Sequence, residues 1–460
     1  MERRLFKEKL YAVVILLAIA CSNENKIEEN NNFKEPSQKT DYHEDWMVMF
    51  NDYEDLEIVV KEEKKNMLHR SSRVTKSKKT TSKKPILVHY MPWFKSLKTD
   101  GVWGQHWTMT NRNPDIINAA GKREIASHYY PLIGPYSTKD IHLQQYHLLL
   151  MKLTGVDGVI FDWYGKRDVL DFEEIKQGME SFILELEKTN LEFSVMYEDR
   201  AIKEQARRLT PIQLNQAIED FKYIESNYLD KNNYMHVDDF PLLMIFGPSY
   251  INNSNDWRII LNSIHTNLNV LGLWNSTNIM GSNNIAGEYA WIDQNNLTTL
   301  SEYYSHNIDF NNNIVGGVAY PRFNDFYLEG GWKTPLEDDW SIDGNGVNVF
   351  KNSFDESLKY PVDFIQIATW NDFGEGTQIE PTKEYGFLHL EMLQNYTETT
   401  YKKEDLRIPY YIYKLRKKHL NSSVVGFLMN VAHWYAMNGQ IEKAKKIICI
   451  VIYYFGDDFL

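Results

Sequence analysis

The 460-residue chain has only two cysteines, Cys21 and Cys449, which leaves no disulfide framework and no cysteine-built metal cluster. It lacks a P-loop and the His-Glu-x-x-His, Gly-x-Ser-x-Gly and Gly-x-Gly-x-x-Gly patterns, so the signatures of several nucleotide, zinc-protease, esterase and dinucleotide enzymes are missing. Asp343-Gly344-Asn345-Gly346 starts like a calcium loop but has no later Glu at the required spacing, and it reads as a turn. No metal or organic cofactor is expected. Positive charge is scarce as well. Lys and Arg number 50 against 63 Asp and Glu, a net charge of -13, so the field of the chain repels polyanions and argues against nucleic acid as a partner.

The apolar run Leu10 to Ala20 is too short to span a bilayer. Behind Arg3, Arg4, Lys7 and Lys9 it reads as an export signal over residues 1–20, ending in Ala18-Ile19-Ala20-Cys21. That ending resembles a bacterial lipoprotein box, which implies lipidation of Cys21 and a membrane-anchored protein, periplasmic or at the cell surface. Residues 21–84 follow as a disordered N-terminal tether and linker: an Asn- and Glu-rich stretch, a mixed segment from Trp46 to Met67, then a basic, hydroxyl-rich run from Ser71 to Lys84.

From Pro85 the pattern changes. Eight short apolar runs, Ile86 to Tyr90, Gly158 to Trp163, Phe193 to Tyr197, Leu242 to Phe246, Val270 to Trp274, Gly287 to Ile292, Ile314 to Tyr320 and Phe364 to Trp370, alternate with stretches long enough for crossover helices. Buried parallel strands read this way. Eight such units over residues 85–395 predict an α/β fold, a (β/α)8 TIM barrel, and residues 396–460 read as a C-terminal helical extension, a hairpin packed on the barrel. The chain reads as a monomer.

What the sequence has in abundance is aromatic residues, 14% of the chain, including Tyr 29 and Trp 12. Chemistry in a (β/α)8 barrel collects at the C-terminal ends of the strands. Those ends carry His89-Tyr90-Met91-Pro92-Trp93-Phe94, with Trp103, His106 and Trp107 in the loop beyond, then Asp162-Trp163-Tyr164, Glu198-Asp199-Arg200, Trp291, Tyr320 and Trp370-Asn371-Asp372-Phe373-Gly374-Glu375. A pyranose offers an apolar C–H face to Trp and Tyr rings and hydroxyl groups to carboxylates, amides and His. Tyr90, Trp93, His106, Trp107, Asp162, Trp163, Glu198, Asp199, Trp291, Tyr320, Trp370 and Asn371 are therefore the candidate glycan-binding residues. Each ring could equally be core. Asp372 and Glu375, in a glycine-flanked loop, are the candidate acid pair, because glycoside cleavage takes one carboxylic acid to protonate the leaving oxygen and one carboxylate to handle the nucleophile.

The segment Trp370-Asn371-Asp372-Phe373-Gly374-Glu375-Gly376-Thr377-Gln378-Ile379-Glu380 resembles the active-site segment of glycoside hydrolase families 71 and 99. His89 to Phe94 with His106-Trp107, His128 to Ser137 and Asp162-Trp163-Tyr164 add to the resemblance. It implies a (β/α)8 enzyme cutting α-linked glycans without a required metal, with Glu375 at the position of the general acid and Asp372 at that of the second carboxylate. Family 99, the endo-α-mannosidases, has a Glu there that acts on the sugar's own 2-OH; family 71, the α-1,3-glucanases, has an Asp that activates water. Asp372 is one methylene shorter than Glu, which favours the water route. Glu198 stands where family 99 has a Glu at the end of strand three. Two functions follow as expectations: an anchored, endo-acting α-glycoside hydrolase on an oligosaccharide or polysaccharide, or an inactive barrel that binds glycans at a surface.

Overall fold

The computed structural model describes residues 84–205, 211–306, 309–310, 312–337 and 339–455. The export signal, Cys21 and almost all of the tether lie outside the described residues. Eight strands form the centre: β1 Ile86–Tyr90, β2 Gly158–Trp163, β3 Glu192–Glu198, β4 Phe240–Phe246, β5 Asn269–Leu273, β6 Gly287–Tyr289, β7 Ile314–Ala319 and β8 Phe364–Ile367. Each runs parallel to the next, and β8 pairs back onto β1 (Leu87 opposite Gln366), so the sheet closes into a (β/α)8 barrel. A two-residue strand, His236–Val237, adds antiparallel to the start of β4.

Helices fill the crossovers: α1 Ile141–Thr154, α2 Phe172–Leu186, α3 Pro211–Ile224, α4 Ser254–Leu261, α5 Leu297–His306, α6 Asn348–Leu358 and α7 Leu388–Thr397. Local chemistry sets their ends. Asp140 caps α1 by accepting the His142 N–H, and Gly155 closes it at φ 74, where a Thr397 side chain leaves no room for a Cβ.

Side chains on a strand alternate between two faces, and in a barrel one face is the interior. Leu87, Ile160, Met196, Met244, Leu271, Tyr289 and Phe364 pack as one buried cluster inside. Their neighbours point the other way: Phe161 and Tyr90 meet Phe182 of α2, and Trp163 meets Tyr223 of α3. This parity decides what reaches the mouth of the barrel.

Among the described residues, 84–118 and 122–406 form one compact unit, and 407–455 belong to another. The described part of the latter is three helices, α8 Arg407–Lys418, α9 Ser423–Met437 and α10 Ile441–Phe455. Arg416 ties α8 to α9 through Asn430 (2.8 Å), and Asn438 to Gln440 form the turn before α10. Cys449 is buried, and burial raises its thiol to about 11. Among the described residues no helix is long and apolar enough to cross a membrane.

Candidate active site

The loop after β8 is built on hydrogen bonds that its own sequence supplies. The Thr369 hydroxyl accepts the Asp372 N–H (2.9 Å), Asp372 Oδ1 accepts the Glu375 N–H (3.0 Å), and the Thr377 N–H returns to the Asp372 carbonyl (3.2 Å). Gly376 sits at φ 70 with the Asn324 carbonyl 2.7 Å from where a Cβ would be, so only glycine fits there. The loop after β7 lies alongside: the Asn324 N–H donates to the Glu375 carbonyl and the Phe326 N–H to that of Gly374. Glu375 is thereby held half-buried, with Tyr327 donating to its Oε1 (3.2 Å).

Inward parity on β2 and β3 brings Asp162 and Glu198 to the same mouth. Asp162 is 2% exposed and its Oδ1 has no hydrogen-bond partner within the protein. Glu198 pairs with the Arg200 guanidinium (2.8 Å) and accepts from the Tyr164 hydroxyl (3.4 Å), which in turn accepts from Arg200 (2.9 Å). Four carboxyl groups, Asp162, Glu198, Asp372 and Glu375, thus face one low-dielectric space. Burial, reinforced by their mutual repulsion, raises Asp162 to about 7 and lifts Glu198 and Asp372 well above the usual carboxylate range. Burial raises Glu375 as well, against the Tyr327 hydrogen bond and the charges of Arg200 and Lys333. Burial and neighbouring negative charge therefore favour the neutral form of both Asp372 and Glu375.

Several rings expected at the rim are core instead. Tyr90 points outward and bonds His147 Nδ1 (3.0 Å); Trp163 packs on the helix layer; Trp107, fully buried, donates to the Tyr136 carbonyl (2.8 Å); Trp370 lies against His147; and Tyr320, also buried, donates to Asn296 (2.7 Å). Parity is the reason on the strands: Tyr90 follows the inward His89, and Trp163 follows the inward Asp162. Trp103, half-buried, bonds Asp115 (2.8 Å). Asp199 is also reassigned. Its carboxylate accepts the backbone N–H groups of Ser249, Tyr250 and Ile251 at 2.8 to 2.9 Å and is fully buried, so it anchors the loop after β4. Asn371 is a strap, bonded to both the N–H (2.8 Å) and the carbonyl (3.0 Å) of Met91, which joins the ends of β1 and β8.

Three anticipated rings do stay near the mouth. Trp93 stacks on His106 (4.1 Å, 7°), His106 bonds Asp171 (3.0 Å), and Trp291, half-buried, meets His89 edge-on (4.7 Å). His89 is held on the barrel axis by Gln366, and burial lowers it to about 4, so the ring is neutral. Tyr164 and Arg200 carry one signal in the sequence, closeness to Asp162 and Asp199; Tyr327 carries none, because it lies 48 residues from Glu375. Beneath the loop lies a buried network that sequence could not assemble: Tyr136 donates to Glu380 Oε2 (2.6 Å), Glu380 Oε1 lies 3.3 Å from His147 Nε2, and Asn371 reaches Tyr136 (3.3 Å). Among the described residues no cluster of His, Cys, Asp and Glu has metal-binding geometry.

The same barrel occurs in solved structures. The endo-alpha-mannosidase of glycoside hydrolase family 99 from Bacteroides thetaiotaomicron, in complex with bis-tris-propane, aligns with a TM-score of 0.54 at 17% identity, covering 69% of this chain and 98% of that one. A second structure of that enzyme aligns at 0.53 and 15% identity over 70% and 98% of the two chains. A glycoside hydrolase-like protein aligns at 0.50 and 14% identity over 72% and 97%. No protein-family model and no curated protein sequence matches the chain. At these identities the likeness is one of fold.

Proposed function

We propose that the protein is a glycoside hydrolase of α-linked glycans, α-mannan or α-glucan, that cuts within the chain, with Glu375 as general acid and Asp372 as general base. One observation carries the reading: the loop after β8 holds two carboxyl groups at the barrel mouth, tied together by the Glu375 N–H to Asp372 Oδ1 bond, beside a Tyr327 hydroxyl and across from Asp162 and Glu198. The likeness in fold to family 99 endo-alpha-mannosidases supports it.

In this mechanism Glu375 gives its proton to the departing glycosidic oxygen as the C–O bond breaks, and positive charge develops at the anomeric centre. Asp372, ionised, takes a proton from the water that attacks that centre. Each catalytic cycle consumes one water, and exchange with solvent at the mouth removes the proton from Asp372 and returns one to Glu375, which resets both groups. Asp162 and Glu198 accept sugar hydroxyls. Arg200 offsets their negative charge, which lowers the cost of keeping several acids together. Export and anchoring through a lipidated Cys21 form part of the proposal and are tested by labelling with a radioactive fatty acid; no incorporation would remove the anchor.

The decisive assay incubates the purified protein with α-mannans and α-glucans beside its Asp372→Asn and Glu375→Gln variants. Products from the parent alone are expected. Undiminished cleavage by both variants would eliminate the mechanism, and glycan binding with no products from any of the three would leave a glycan-binding barrel. Proton NMR of the first anomer released then separates inversion from retention.

A further inference from the structure

Trp332 is a large ring left 41% exposed, whereas Trp107, Trp163, Trp257 and Trp370 are fully buried. A single exposed apolar residue needs no explanation, but the surroundings of this one are built. Its backbone N–H donates to the Tyr327 carbonyl (2.7 Å), and its indole stacks along the Tyr327 ring (5.9 Å, 25°), whose hydroxyl holds Glu375. On another side it meets the His106 edge (5.6 Å, 88°), and His106 stacks face to face on Trp93. The turn that presents it is fastened. Gly331 takes φ 79, Asn111 donates to the Glu329 carbonyl (2.7 Å), the Thr110 N–H donates to the Gly330 carbonyl (2.9 Å), and Met109 fills the space beside Gly330. Lys333, next in sequence, is drawn down onto Asp325 (2.6 Å), which leaves the indole uncovered.

We propose that Trp332 is the floor of a second sugar subsite, one ring away from Glu375, on which the C–H face of a pyranose in the glycan chain stacks. The proposal deepens the hydrolase reading and rests on it for the identity of the ligand. The chemistry is that of a neutral sugar: an exposed, rigidly held aromatic face with polar groups at its edge, His106 with Asp171 and Lys333 with Asp325, to accept or donate to ring hydroxyls. It also accounts for an exposed indole at the rim of a barrel in which Tyr90, Trp163, Tyr320 and Trp370 have gone into the core. A glycan would therefore have to occupy the site beside Glu375 and the Trp332 floor together, which is what cutting within a chain demands.

The test uses the full protein carrying Glu375→Gln, so that ligand is not consumed, with α-mannan and α-1,3-glucan hexasaccharides as probes in isothermal titration. Adding Trp332→Ala is expected to weaken the bound hexasaccharide about tenfold, and Trp332→Phe, which keeps a ring, less than about threefold. Circular dichroism verifies that each variant is folded. Binding that Trp332→Ala leaves intact overturns the subsite while the hydrolase reading stands. A Phe variant as weak as the Ala variant also overturns it, since stacking is then not what the residue supplies. If the Glu375→Gln parent binds neither hexasaccharide, the glycan reading and the subsite fall together; if it binds but the unmutated protein releases no product, only hydrolysis falls.

Discussion

Glu375 and Asp372 occupy one hydrogen-bonded loop, and burial raises the pKa of each. Replacing Glu375 with Gln is expected to lower kcat by about 10³-fold, the usual scale for a general acid, in a glycan-cleavage assay. The pH profile has a direction as well. Tyr327 donates to Glu375 and so favours its ionised form. Tyr327→Phe removes that donor, raises the Glu375 pKa, and should move the alkaline limb of the rate profile to higher pH; a limb that moved to lower pH would contradict the assignment. For Asp162 the sign concerns stability. Its folded pKa of about 7 lies above its ordinary value of 3.8. The neutral acid is compatible with the fold and the anion is not, so stability is full below the ordinary value and is lost as pH rises through the folded one. Asp162→Asn, which cannot ionise, should therefore gain on the parent by on the order of 1 kcal/mol per pH unit between about pH 4 and pH 7, and no further above that, in thermal or urea melts.

Among the elements, the ends of β1 and β8 are joined by the Asn371 strap to Met91, and the loop above rests on the Glu380, Tyr136 and His147 network. All of these groups are buried, so removing one partner leaves others unsatisfied in low dielectric. Asn371→Ala should cost about 1–3 kcal/mol in urea unfolding and blunt activity by loosening the loop that carries both acids. The buried Asp199 carboxylate performs the equivalent service for the loop after β4. Sequence could place these residues at strand ends but could not say what they bind, because their partners lie tens to hundreds of positions away: Met91 is 280 residues from Asn371. Adjacent candidates on one strand were legible only as a pair. Asp162 and Trp163, or His89 and Tyr90, cannot both face the interior, and their run of apolar neighbours does not say which one does.

Viewed as a whole molecule, the chain is acidic, with a net charge of -13 that includes the carboxyl groups at its mouth. A neutral glycan does not feel that field at long range, whereas an anionic one is repelled until salt screens the charge. Raising ionic strength from about 10 mM to about 0.5 M should leave kcat/KM for neutral α-glycans within about twofold and increase it for phosphorylated or sulfated analogues. Equal salt responses for both would mean that the local site, not the net charge, governs encounter.

The sequence by itself determined the eight strands, their parallel order and the acid pair in the loop after β8, because apolar run length, crossover spacing and a glycine-flanked motif are all local properties. Only the tertiary structure decided which half of the strand-end side chains reach the mouth. Inside and outside are defined when β8 closes on β1, and that closure turned Tyr90, Trp163 and Tyr320 into core, left Asp162 and Glu198 facing Glu375, and brought Tyr327 and Trp332 from a distant loop to its side.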